Sequence, residues 1–184
     1  MTARDGWMAL STEEKRRLKV LVKDAIEGVL FGRETTSVEL TEPLKEKCGA
    51  FVTIKSCGNL RGCIGYVRGY LPLHETVKEM AIQAAFNDPR FEPVTRDEWK
   101  DMDFEISVLT PMKKIEDVDE IEVGIHGLYI EKGVHSGLLL PQVATEQRWD
   151  RTEFLEYTCY KAGLPKDAWK SKDTDIYIFS ADVF

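Results

Sequence analysis

The sequence is short of most features that announce a function. It holds only three histidines and four cysteines in 184 residues. None of Cys48, Cys57, Cys63 and Cys159 belongs to a C-x-x-C pair, so zinc is not suggested, and the four read as free thiols of a reducing compartment. No glycine-rich phosphate loop of the Walker or dinucleotide type occurs. No uninterrupted apolar run approaches the ~20 residues of a membrane span, and residues 1–10 lack an apolar core of signal-peptide length. A cytoplasmic protein without a membrane partner is expected. Basic side chains are in the minority, 25 against 32 acids for a net charge of −7, which argues against a broad nucleic-acid or anionic-membrane surface. The aromatic residues are spread out instead of interleaved with basic ones, so single-strand nucleic-acid binding is weakly supported. There is no internal repeat, low-complexity tract or linker, and one domain over residues 1–184 is expected.

What is present is ordinary for a soluble α+β chain. Ser11 and Glu14 form a capping box ahead of Leu18, Leu21, Val22, Ala25, Ile26, Val29 and Leu30 at helical spacing, with Gly32 as a stop signal. A helix over 12–31 follows. Strand-formers on either side of Ser56-Cys57-Gly58-Asn59 predict an antiparallel hairpin over 49–67. With Gly58-Asn59 as its loop, Ile54 falls opposite Cys63 and Ser56 opposite Arg61, which puts Cys63 on the face of Val52 and Ile54. Pro72 opens a helix over 72–87 that Asp88-Pro89 breaks. Thr95 and Glu98 make a second capping box, and Phe104, Ile106 and Val108 alternate as a half-buried strand. Residues 113–123 read as an acidic, solvated connection with a short strand or turn of helix. A second hairpin over 127–140 turns at Lys132-Gly133. Pro141 starts a helix to about Trp149, Asp150 and Glu153 cap a helix over 151–162, and 176–179 is a closing strand. Without a strand–helix–strand unit, this predicts an α+β fold, a mostly antiparallel sheet with flanking helices.

The stretch Leu60-Arg61-Gly62-Cys63-Ile64-Gly65 stands apart from this pattern. An interior strand glycine costs roughly 0.5–1 kcal/mol relative to alanine, so it marks a bulge or a place where something approaches the backbone closely. Arg61 and Cys63 are two apart and share a face of a regular strand. A cation beside a thiol raises its thiolate fraction, which makes Cys63 a candidate nucleophile. The competing reading is a buried cysteine packed as a small hydrophobe. Arg61 and Arg90 are candidate substrate-binding residues, because their forks suit phosphate or carboxylate; the structural alternative pairs Arg90 with Asp88. Glu105 is either a solvated face residue or an acid–base group lining a cleft. His126, before Gly127, stands where the backbone can bend to present an imidazole, and would make a nucleophilic dyad with Cys63. Gln142, at a helix start, is a candidate for binding an anion or a base edge, or a local cap. No metal site and no cofactor are expected.

Several stretches together resemble the AMMECR family. They are Leu60 to Gly65, Ala85-Phe86-Asn87-Asp88-Pro89-Arg90-Phe91, Glu105-Ile106-Ser107-Val108-Leu109, His126-Gly127-Leu128, Gly137-Leu138-Leu139-Leu140-Pro141-Gln142-Val143-Ala144, and the helix from Phe154 with its Thr158-Cys159. The resemblance covers nearly the whole chain. It implies an α+β fold of two unequal lobes around a cleft and a cytoplasmic, microbial setting. There the genes for a MEMO-type protein and a radical SAM enzyme often stand nearby, as for an AmmeMemoRadiSam system protein A. It implies those two proteins as partners, and no defined reaction. Two functional classes therefore stand. The first is a cleft enzyme, or its substrate-holding component, in which Arg61 holds an anionic group, Cys63 reacts, and Glu105 and His126 move protons. The second is a non-catalytic adaptor whose cleft docks a protein or peptide. A pocket uniting Arg61, Cys63 and a titratable side chain favours the first, a flat apolar groove the second.

Overall fold

The computed structural model describes residues 10–33 and 37–184; the reading of residues 1–9 as free of a leader lies outside them. In chain order the elements are α1 (Thr12–Phe31), α2 (Glu42–Lys45), β1 (Ala50–Ser56), β2 (Asn59–Tyr66), α3 (Leu73–Phe86), β3 (Met102–Leu109) and β4 (Lys113–Ile115). Then come β5 (Gly127–Lys132), β6 (His135–Leu139), α4 (Pro141–Gln147), α5 (Arg151–Lys161), β7 (Asp175–Phe179) and β8 (Ala181–Val183). The α+β expectation holds, with two four-stranded sheets ordered β2-β1-β3-β8 and β4-β7-β5-β6. Two compact units carry them, Met1–Leu109 with Asp182–Phe184, and Thr110–Ala181. No helix among the described residues is long and apolar enough to cross a membrane.

In the first unit α3 lies on β1 and β2, and α1 lies on α3. The capping box forms as read: the Ser11 hydroxyl accepts from the Glu14 amide at 3.3 Å, and the Glu14 carboxylate from the Ser11 amide at 2.8 Å. Leu18, Ile26, Leu44, Val52, Ile54, Val77, Met80 and Ile106 form a continuous buried core, each side chain stabilising by about 1.5–3 kcal/mol relative to exposure. The end of the chain is tied into this unit. Ile106 and Phe184 exchange main-chain hydrogen bonds, and Lys15 pairs with Asp182 at 2.6 Å.

The first hairpin corrects the sequence reading in one important respect. Its loop is Cys57-Gly58, both at positive φ (50° and 78°), which is the geometry that matches strand twist in a two-residue turn. Ser56 therefore pairs with Asn59 and Lys55 with Leu60; the ladder then slips, so that Ile54 pairs with Gly62 and Thr53 with Cys63. Arg61 is the extra residue of a β-bulge. Ile54 does not face Cys63, and Ser56 does not face Arg61. Because side chains alternate with a period of two, this single-residue shift moves Cys63 off the core face of Val52 and Ile54. The bulge likewise interrupts the regular alternation that would have put Arg61 and Cys63 on one face.

In the second unit α5 packs on β5 and β6, and α4 against β5. Leu128, Ile130, Phe154, Leu155, Cys159 and Ile178 form its core. Asp150 and Glu153 complete their capping box. The second hairpin runs in register from Leu128 opposite Leu139 to Lys132 opposite His135, without a bulge. Its loop is Gly133-Val134, one residue beyond the expected turn. The acidic connection supplies β4, which pairs with β7, and a short 3-10 turn, Val118–Glu120.

Candidate functional site

Cys63 is half-buried on the face of the first sheet turned away from α3. Both of its main-chain groups are held by a segment 25 residues further on. The Asp88 carboxylate accepts from the Cys63 amide at 2.9 Å, and Arg90 Nη2 donates to the Cys63 carbonyl at 3.2 Å. Asp88 is itself 3% exposed. It accepts from Arg90 at Nε (2.9 Å), Nη2 (2.7 Å) and the main-chain amide (3.1 Å). Arg90's fork first, then the Cys63 and Arg90 amides, hold the Asp88 carboxyl far below the usual carboxylate range in spite of its burial. This segment follows α3 because the Asp88-Pro89 step cannot continue a helix. The pairing of Arg90 with Asp88 is thus present, and it serves the backbone of Cys63 as well as its own turn.

The glycines beside Cys63 are accounted for by the protein's own packing. A Cβ on Gly62 would overlap the Ala84 carbonyl oxygen of α3, and one on Gly65 the Phe51 ring. Close approach is what they permit, and α3 and Phe51 are what approaches.

Arg61 reaches back over the loop that follows α3. Its Nε and Nη2 lie 3.4–3.5 Å from the Glu98 carboxylate, and Nη2 is 3.5 Å from the Pro93 carbonyl. These are long for hydrogen bonds to a charged group. The reason is that Glu98 serves its own capping box, where the Thr95 amide and hydroxyl donate at 3.0 and 2.9 Å. Those bonds, with Arg61 as a lesser contributor, hold the Glu98 carboxyl below its ordinary value. Nη1 of Arg61 is buried and has no hydrogen-bond partner. The guanidinium groups of Arg61 and Arg90 both stand over the Phe91 ring, 5.9 and 5.4 Å from its centroid.

Glu105 lies in the same cross-strand row as Cys63, with Thr53 between them. Two strand spacings separate Glu105 from Cys63, about 10 Å. The Thr53 hydroxyl donates to Cys63 Sγ at 3.2 Å, and Glu105 pairs with Lys55 at 3.3 Å. Thr53 was absent from the sequence reading because the expected register placed Ile54 beside Cys63. His126 and Gln142 belong to the second unit. His126 Nδ1 accepts from the Glu122 amide at 3.1 Å, which puts the proton of the neutral ring on Nε2. Gln142 is in the first turn of α4, and its carbonyl accepts from the Thr145 hydroxyl at 2.8 Å. The structure therefore gathers Arg61, Cys63 and Arg90 in the first unit, with Glu105 two strands away across Thr53.

Fold and site together define an α+β protein of two antiparallel-sheet units, one presenting a cysteine clamped by a buried aspartate and an arginine. The AMMECR1 family model matches residues 20–184, and the chain belongs to that family, as the motif resemblance implied. It is 42% identical to Protein NEQ441 of Nanoarchaeum equitans, over 91% of this chain and 97% of that one. It is 49% identical to a protein of Thermococcus onnurineus, over 89% of this chain and 86% of the other. The crystal structure of the uncharacterized protein PH0010 from Pyrococcus horikoshii matches with a TM-score of 0.81 at 42% identity, covering 90% of this chain and 87% of that one.

Proposed function

We propose that the first unit is a thiol site for an anionic substrate. Cys63 is the reacting group, Arg61 and the outer part of Arg90 attract the anion, and Glu105 serves as the acid–base residue of the same sheet face. The observation that carries this reading is the clamp on Cys63. A buried, acid-depressed aspartate and an arginine hold both main-chain groups of one half-buried cysteine, and core packing alone asks for no such fixing. The anion half is supported by the two guanidinium groups that stand over the Phe91 ring, with the Arg90 side chain 53% exposed. By family resemblance the protein acts in the microbial cytoplasm beside a radical SAM enzyme and a MEMO-type protein.

The test is thermal unfolding with and without phosphate or sulfate. Wild type gains melting temperature with the anion. Arg61→Lys loses that gain, because lysine cannot reproduce the fork, while it keeps the fold and the charge. Strong destabilisation of Arg61→Ala, with no anion effect on wild type, makes Arg61 part of the architecture and ends the proposal.

A second reading has its own observation. In the second unit Leu139, Trp149, Tyr157, Tyr160, Lys161 and Gly163 line a depression of about 560 Å³. Trp149 and Tyr157 stack in parallel at 4.1 Å, and Tyr160 is 70% exposed. Exposed aromatics of this kind anchor protein partners, which favours the adaptor. Co-expression with the radical SAM enzyme and the MEMO-type protein separates the two. Co-purification lost in Tyr160→Ala but kept in Cys63→Ala supports the adaptor, and the reverse supports the thiol site.

A further inference from the structure

We infer that Thr53 is a positioning residue whose hydroxyl steadies the sulfur of Cys63 as the anion it forms in reacting; the inference rests on the reading of Cys63 as a reactive thiol. Thr53 is the direct cross-strand partner of Cys63, and its hydroxyl donates to Sγ at 3.2 Å. A hydroxyl has a single hydrogen to give. The other cross-strand neighbour of Thr53 is Glu105, whose carboxylate pairs with Lys55 at 3.3 Å. The hydrogen of Thr53 goes to sulfur. Threonine's two heavy Cβ substituents restrict χ1, so the donor is held in place without a second tether.

The backbone clamp and the hydroxyl divide the work. Asp88 and Arg90 fix the main chain of Cys63 on both sides, which sets where its Cβ points. Neither accepts from nor donates to the sulfur in this structure, and Thr53 is the group that does. A donor aimed at sulfur favours the charged form over the neutral one, since hydrogen bonds to an ionised acceptor are roughly twice as strong as neutral ones.

Alkylation by iodoacetamide reads the thiolate directly. The sulfur attacks the methylene carbon, a C–S bond forms, the C–I bond breaks, and iodide leaves with the bonding pair; the thiol proton has already passed to solvent. Labelling is followed peptide by peptide by mass spectrometry, so that Cys57 and Cys63 are scored separately. At pH 7, Thr53→Val, which keeps shape and β-branching, labels Cys63 about tenfold more slowly than wild type. At about pH 10, where an ordinary thiol is ionised, the two rates converge. Thr53→Ser, which restores the hydroxyl, labels within about threefold of wild type. A Thr53→Val rate equal to wild type at pH 7 overturns the inference. So does a slowing of the same size at both pH values, since that reports access or local structure instead of ionisation. Wild-type Cys63 labelling no faster than the buried Cys159 overturns the reactive-thiol reading beneath it. Fast wild-type labelling that Thr53→Val leaves unchanged removes only the role of Thr53.

Discussion

The two hairpins are built to nearly the same plan. Each has a glycine where a helix presses on the sheet, Gly62 against Ala84 and Gly137 against Ala162. Each has another under an aromatic ring, Gly65 beneath Phe51 and Gly127 beneath Phe179. The second hairpin runs in unbroken register, whereas the first contains one extra residue, Arg61. That residue turns Cys63 away from the core and brings its amide and carbonyl to Asp88 and Arg90. The cysteine of the second unit had no such fate: Cys159 is on the inner face of α5, 0% exposed, and burial pushes its thiol up. A bulge, and not the presence of a glycine or a cysteine, separates the candidate site from plain architecture.

The comparison breaks most severely at the shared glycines. Gly62→Ala forces a methyl into the Ala84 carbonyl, and backbone cannot yield as a side chain can; the loss should be about 3 kcal/mol or more by urea unfolding. Gly137→Ala should cost about 2 kcal/mol. Equal, negligible losses would show that helix and sheet do not meet closely at these points.

The clamp, which only the first hairpin has, comes next. Asp88→Asn removes the charge that four donors share and should cost about 2 kcal/mol at pH 7. Because the folded carboxyl lies below its ordinary value, its stabilisation is present above about pH 4 and is lost as acid titrates it. Urea unfolding of both proteins at falling pH should thus show the gap narrowing below about pH 3. A gap independent of pH would mean that Asp88 acts by shape alone.

The two cysteines sharpen the contrast in reactivity. Iodoacetamide should label Cys63 at least about tenfold faster than Cys159 in the folded protein. Equal, slow labelling would return Cys63 to the core. The smallest effect lies in the turns. Cys57 takes a left-handed conformation with a side chain (φ 50°), whereas the second hairpin uses Gly133 at its positive-φ position. Cys57→Gly should therefore raise the free energy of urea unfolding slightly, by about 0.5 kcal/mol.

Local chemistry made much of the fold legible. The helix over 12–31 and the helices after Pro72 and Asp150 follow from caps, stop signals and 3.6-residue periodicity, which act within a few residues of chain. The two hairpins were legible for the same reason. Register was not. In a regular ladder either loop, Gly58-Asn59 or Cys57-Gly58, leaves Cys63 opposite a core-face residue, Ile54 or Val52; the bulge at Arg61 is what sets it opposite Thr53, with Gly62 where Ala84 comes close. The Thr53 pairing and the engagement of Asp88 with the Cys63 amide followed from that bulge and were hidden with it.

By itself, then, the sequence determined the α+β class, the boundaries of the longer helices and of the hairpins to within a few residues, and the family, while the Glu42–Lys45 helix and the Ala181–Val183 strand were not read from it. Tertiary structure alone decided which way Cys63 faces, which atoms hold it, and that Thr53 supplies its hydrogen bond. The reason is range. Caps and turns are settled by neighbours in the chain, but the face of a strand residue hangs on a one-residue shift that only packing against a distant helix can resolve.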